Sequence, residues 1–86
     1  GYAMNFGTWI QQKLIQLDKS SYQLELDAEL SKGSVYRWAA SRANPRLDTF
    51  IKTVKQISSY SGEDMDSLLL DAMKNTPEYR GYHGTK

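Results

Sequence analysis

Apolar residues recur at helical spacing along nearly the whole chain. Phe6, Trp9, Ile10, Leu14 and Leu17 share one stripe, with Gln11, Gln12, Lys13 and Gln16 on the other side. The spacing predicts a first helix from about Asn5 to Leu17. Asp18-Lys19-Ser20-Ser21 interrupts the period, and Ser20 suits the N-cap of a short second helix over Ser21 to Asp27. A tight turn is expected around Ala28-Glu29-Leu30. Ser31 is a second cap candidate, opening a helix through Val35, Tyr36 and Trp38 to about Ala40. Ser41-Arg42-Ala43-Asn44-Pro45 reads as a loop, because proline drives the residue before it to extended backbone and itself suits a helix start. A fourth helix is predicted from about Arg46 to Ser58, burying Leu47, Phe50, Ile51, Val54 and Ile57. Ser59-Tyr60-Ser61-Gly62 reads as a connection. Glu63, Asp64 and Asp66 then fall in the first turn of a fifth helix, where acids favour the macrodipole. Its stripe is Met65, Leu68, Leu69, Ala72 and Met73. From Thr76 onward, through Pro77, Gly81 and Gly84, no period remains, and residues 76–86 are expected to form a flexible tail.

No strand pattern, repeat or low-complexity segment competes with this reading. The expectation is one compact all-α domain of five short helices over residues 5–75. Residues 1–4 are expected to be a cloning remnant, Gly1-Tyr2-Ala3, followed by the native start at Met4. An 86-residue chain buries roughly two-thirds of its unfolded surface and folds alone with little stability to spare.

Composition removes several classes of chemistry. Cysteine is absent, which excludes disulfide scaffolds and cysteine-based metal sites. The single histidine, His83, stands near the C-terminus, so multi-histidine metal centres are excluded. No apolar run approaches the ~20 residues that span a bilayer, and no signal-peptide pattern is present; the cytoplasm is the expected location. Glu63, Asp64 and Asp66 lack the glycine and distal glutamate of a calcium loop. No nucleophile has a base at meaningful spacing. The expectation is therefore a non-enzyme with no metal and no cofactor.

Net charge is only +1, but it is unevenly spread. Between Lys32 and Lys55 lie Lys32, Arg37, Arg42, Arg46, Lys52 and Lys55 against Asp48 alone. Residues 1–31 and 56–86 are both net acidic. A basic middle between acidic flanks suggests one face suited to a polyanion, although clustering on a solvated surface gives the same pattern.

The segment Ser20 to Trp38, SSYQLELDAELSKGSVYRW, has the rhythm of a helix-turn-helix. With Trp9-Ile10 and Leu14 in the first helix, and Asn44-Pro45-Arg46-Leu47-Asp48-Thr49-Phe50 after it, it resembles the Cro and phage-repressor (lambda-repressor-like, XRE) family of DNA-binding domains. The resemblance covers roughly Phe6 to Ile57. Its single motifs are weakly specific; their order and spacing together are more so. Leu24, Leu30, Val35 and Trp38 fall where that family places the motif core. The sequence departs from the pattern at Glu25, where a small residue is usual, at Glu29, where glycine is usual, and at Ser41, often a helix-ending glycine. A glutamate at position 25 is expected to point outward or to force the two helices apart.

The resemblance implies a sequence-specific regulator that reads the major groove of double-stranded DNA with the helix at about 32–40. It places Lys32, Gly33, Ser34 and Arg37, with Tyr36 at the margin, toward base edges. Arg37 would be the main reader and Lys32 the second. Phosphate contacts would come from Ser21 and Gln23 on the second helix and from Arg42, Asn44 and Arg46 after the third, with Lys52 and Lys55 further candidates. For each basic side chain an ordinary solvated or ion-paired surface residue is the competing reading. A homodimer through the helix at about 63–74 is expected, since Leu70 falls off its apolar stripe and Tyr79 and Tyr82 lie just beyond. The alternative is a protein-interaction module on the same fold, an antitoxin or an anti-repressor, with weak or no DNA binding.

Overall fold

The computed structural model describes residues 5–40 and 44–75. Residues 1–4, the expected tail 76–86 and Arg42 lie outside the described residues. Five helices follow one another: α1 Phe6–Leu17, α2 Ser21–Asp27, α3 Ser34–Ala39, α4 Leu47–Ser61 and α5 Met65–Lys74. No strand occurs among the described residues, and no helix is long and apolar enough to cross a membrane.

Local chemistry sets most of the helix ends. The Asn5 side chain accepts from Thr8 N–H, and the Ser20 hydroxyl accepts from Gln23 N–H. The Asp64 carboxylate accepts from Ser67 N–H. Each satisfies one of the orphan donors of a helix start. The predicted first turn of α5 is corrected accordingly: Glu63 and Asp64 precede the helix, and only Asp66 stands inside its first turn. α4 also runs further than predicted, through Ser59, Tyr60 and Ser61, until Gly62 takes a left-handed backbone at φ 77°. Polar serines did not end that helix; the glycine did.

One core unites the helices. Phe6, Ile10, Leu24, Val35, Phe50, Val54 and Ile57 are fully buried. The Phe6 ring stands 4.7 Å from that of Phe50, 5.5 Å from Trp38 and 5.9 Å from Trp9. These offset and tilted pairings are favoured aromatic geometries. Leu24, Val35 and Trp38 are buried as the motif core predicted, and Leu30 packs partly against them. Leu47 and Ile51, assigned to the buried face of α4, instead leave 40% and 39% of their surface exposed. The face of α4 turned to the core is Phe50, Thr53, Val54 and Ile57; Ile51 stands one position round the helix from it, and Leu47 is the first helical residue, a turn before it. α5 closes on α4 and is tied to α1 by the Trp9 indole, which donates to Asp71 Oδ2 at 2.8 Å.

α3 has only six residues, too few to hold a helix by propensity. Its placement comes from outside itself. Near its C-terminal end the Asn5 amide donates to Ala39 C=O at 2.9 Å, and Gly7 of α1 lets the two backbones meet. Its N-terminal end is held by α2, as described next.

Candidate nucleic-acid interface

The connection from α2 to α3 turns sharply. Glu29 adopts a left-handed backbone at φ 57°, which costs a non-glycine residue about 1 kcal/mol. Ser34 N–H bonds to Ser31 C=O at 3.1 Å, closing a turn over residues 31–34. Gly33 follows a left-handed path at φ 82° and stands as the N-cap of α3. The helix therefore begins at Ser34, two residues later than expected, and Ser31 belongs to the preceding turn.

Glu25 corrects a second expectation. It neither points outward nor wedges the helices apart. Only 7% of the residue is exposed, and its carboxylate lies under the start of α3. Oε1 accepts from Gly33 N–H at 3.0 Å and Oε2 from Val35 N–H at 3.3 Å. A buried carboxylate is tolerated when N–H donors and a helix N-terminus face it.

Arg37 grips the same turn from outside. Its Nη1 donates to Lys32 C=O at 3.0 Å, and Nη2 to Ser31 Oγ at 2.9 Å and Ser34 Oγ at 3.4 Å. A Cβ on Gly33 would stand 3.3 Å from Arg37 Nη1. Glycine is favoured here by the positive φ; the guanidinium end of Arg37 could shift by the few tenths of an ångström that a Cβ needs. Among the described residues Arg37 forms no ion pair with Glu29 on the turn or Asp48 on α4, the acids that an ion-paired reading would call on. Three of its hydrogen-bond contacts stay within its own turn; a guanidinium carries five donors, so some remain for a ligand.

The other predicted base-facing residues divide. Lys32 and Tyr36 are exposed. Ser34 is buried at 3% exposure and its hydroxyl donates to Ser31 C=O, so it lines the inner wall of the cleft between α3 and the start of α4 and does not project toward a base edge. Helical register alone put Ser34 beside Lys32; the late start of α3 turned it inward.

Among the predicted phosphate contacts, Asn44 and Arg46 line a cleft of about 310 Å³ between the α2–α3 turn, α3 and the start of α4. Arg37, Lys52, Ser31 and Thr49 share it, with Leu30, Trp38 and Pro45 as its apolar part and Glu29 as its one acid. Lys52 reaches over from α4 and donates to Glu29 C=O at 3.2 Å. Arg46 stands 3.9 Å from Asp48, but both side chains are largely exposed, and such pairs contribute little. The cleft is therefore rich in cations and hydroxyl donors. Ser21 and Gln23 do not line it; they stand on the first turn of α2, where the Gln23 amide donates to the Asp27 carboxylate at 3.0 Å. Lys55 is exposed, away from the cleft lining.

α2 is latched to α4 on its far side. The Tyr60 hydroxyl donates to Asp27 Oδ2, and Lys19 Nζ lies 4.8 Å from the Tyr60 ring centre. The Tyr60 bond, then the Gln23 bond and Lys19, hold the Asp27 carboxyl below its ordinary 3.8. Burial first, and the Asp27 contact second, push the Tyr60 hydroxyl well above its ordinary 10.0. A depressed acid stabilises the fold above its unfolded pKa and loses that contribution as pH falls. A raised tyrosine stabilises it below its unfolded pKa and loses that contribution as pH rises past it. Tyr60→Phe is thus expected to lower the urea midpoint between pH 5 and 9 and to approach the parent below pH 3 and above pH 11. A constant difference across that range would refute the latch.

Comparison with family models, with curated proteins and with solved structures returned no match. The assignment of this surface rests on its own geometry.

Proposed function

We propose that the chain binds double-stranded DNA through α3 and the adjoining cleft, as a small regulator of the Cro and phage-repressor type. The cleft carries the reading: Arg37, Arg46 and Lys52 surround it with hydroxyl donors at the edge of a short helix whose Lys32 and Tyr36 are exposed. A phosphate needs multiple positive donors, and a base edge needs a projecting side chain beside them. In this reading Lys32 and Tyr36 face the groove. Arg37 trades its contacts to Ser31 and Lys32 for a base edge. Asn44, Arg46 and Lys52 hold the backbone. Occupying an operator then blocks or recruits polymerase, and a homodimer through α5, where Leu70 is 48% exposed, supplies the second half-site.

Enrichment from a random duplex pool in moderate salt tests it. The unaltered chain is expected to select a near-palindromic sequence. Arg37→Ala is expected to lose roughly tenfold to a hundredfold in affinity and to relax one G·C preference, as loss of a bidentate contact does. Arg46→Ala with Lys52→Ala is expected to flatten the dependence of log affinity on log salt by roughly two contacts' worth, about 0.9 each. Failure of the folded chain to enrich any sequence would overturn the proposal.

One observation favours a second reading, a protein-interaction module. Tyr22 and Leu26 on α2 are 61% and 55% exposed and border a groove completed by Glu25, Leu30 and Lys32. Duplex selection that fails while the chain stays folded would turn attention to that face.

A further inference from the structure

Among the described residues, Glu25 is the buried ionisable side chain, and nothing in the duplex contacts above uses it. We infer that Glu25 is the residue that presents α3 to its ligand. Its carboxylate fixes the turn from which Lys32 projects and against which Arg37 is held, and so sets how sharply one duplex is preferred over another. The part of this inference that concerns duplexes rests on the reading proposed above; the part that concerns the turn does not.

Three observations support it. First, α3 is too short to orient itself, and its first residues have no side-chain cap of their own. Second, the Glu25 carboxylate spans the cap, taking Gly33 N–H on one oxygen and Val35 N–H on the other. Two oxygens holding donors two residues apart resist both sliding and rotation of the turn. Third, the outer side of that turn is gripped in the free protein by Arg37 through Ser31 and Lys32, and once Arg37 turns to a base edge the Glu25 carboxylate is the hold that remains. Lys32, proposed to meet DNA, thus stands on a turn clamped from within by an acid and from without by a base. Loosening the inner clamp frees the loop on which Lys32 is carried. Arg46 at the N-cap of α4 and Lys52 on α4 keep their charges and their places, Lys52 meeting the connection only at Glu29 C=O, ahead of the clamped turn. The expected loss is therefore in discrimination, not in general attraction to a polyanion.

Two variants of similar volume separate the carboxylate's bonds from its bulk. Glu25→Met fills the space and removes both acceptors. Glu25→Gln keeps one acceptor oxygen. Amide hydrogen exchange of the free protein reads the turn without any ligand. In Glu25→Met the Gly33 and Val35 amides are expected to exchange at least tenfold faster, while Ile10 in α1 and Val54 in α4 keep their protection. Glu25→Gln is expected to fall between Met and the parent. Titration with the selected duplex and with a scrambled one reads the presentation. Glu25→Met is expected to lose at least tenfold on the selected duplex and less than threefold on the scrambled one, with Glu25→Gln again between.

Parent-like exchange at Gly33 and Val35 in both variants would overturn the role of Glu25 in the turn. Faster exchange with an unchanged ratio of selected to scrambled binding would overturn its role in presentation. If the unaltered chain binds no duplex, the duplex reading fails and the presentation role with it, while the exchange arm separately decides whether the carboxylate holds the turn.

Discussion

Gly7→Ala is expected to destabilise the domain by about 3 kcal/mol or more, the upper end of overpacking penalties. A Cβ at position 7 would lie 2.0 Å from Ala39 N and 2.4 Å from both Ala39 Cα and Trp38 C. Those atoms are backbone, so no rotamer change relieves them. α1 and α3 would have to separate. That movement would also stretch the Asn5 to Ala39 bond and part the Phe6 and Trp38 rings. Small domains sit at the lower end of a 5–15 kcal/mol stability range, so one such loss removes a large share of it. Urea denaturation followed by circular dichroism measures it. Gly62→Ala serves as the comparison: φ is +77° there, but nothing lies within 4 Å of an added Cβ. Its cost is expected to be about 1 kcal/mol, from backbone conformation alone. Equal effects at the two glycines would show that the helices do not meet at Gly7.

Phe6→Ala is the second large effect, expected to cost about 3–5 kcal/mol. Phe6 is fully buried and its ring touches aromatics from α1, α3 and α4. Removing it leaves a cavity between rigid rings, which collapse poorly into empty space. For a domain of this size the melting temperature should fall by roughly 15–25 °C. Near-ultraviolet circular dichroism should lose intensity as Trp9 and Trp38 lose their packing. Phe6→Leu, which refills part of the space, should recover about half of the loss. A drop of a few degrees in Phe6→Ala would mean that the cluster does not join the three helices.

Both predictions concern the placing of α3, and they show where reading the chain residue by residue succeeds. Helical periodicity located all five helices and nearly all of the core, because burial repeats every three to four residues whatever the partner. The Ser20 cap was legible because a cap acts within three residues of itself. Pro45 before α4 was legible for the same reason. The residues around the cleft were partly legible. Asn44, Arg46, Lys52 and Arg37 came from charge pattern and resemblance, and they line one space. Ser21 and Gln23, chosen on the same grounds, do not.

Other features depended on residues far apart in the chain. Glu25 looked like an intruder because nothing near it in sequence needs a carboxylate. The donors it serves lie eight and ten residues on, and only the packing of α2 beneath α3 brings them within reach. Ser34 looked exposed because α3 was expected to be capped by Ser31 and to start at about 32, and a shift of two residues changes which side chains face inward. Gly7 carried no pattern at all: its need for a bare Cα arises from the approach of Ala39, thirty-two positions away. The sequence by itself determined the all-helical class, the helix starts with local caps and the greater part of the buried face, since these follow from interactions within about one turn. The tertiary structure alone decided how α3 is held, which of its side chains project, and which cations share the cleft, because hydrogen-bond geometry and backbone contact between helices depend on separations that no local pattern encodes.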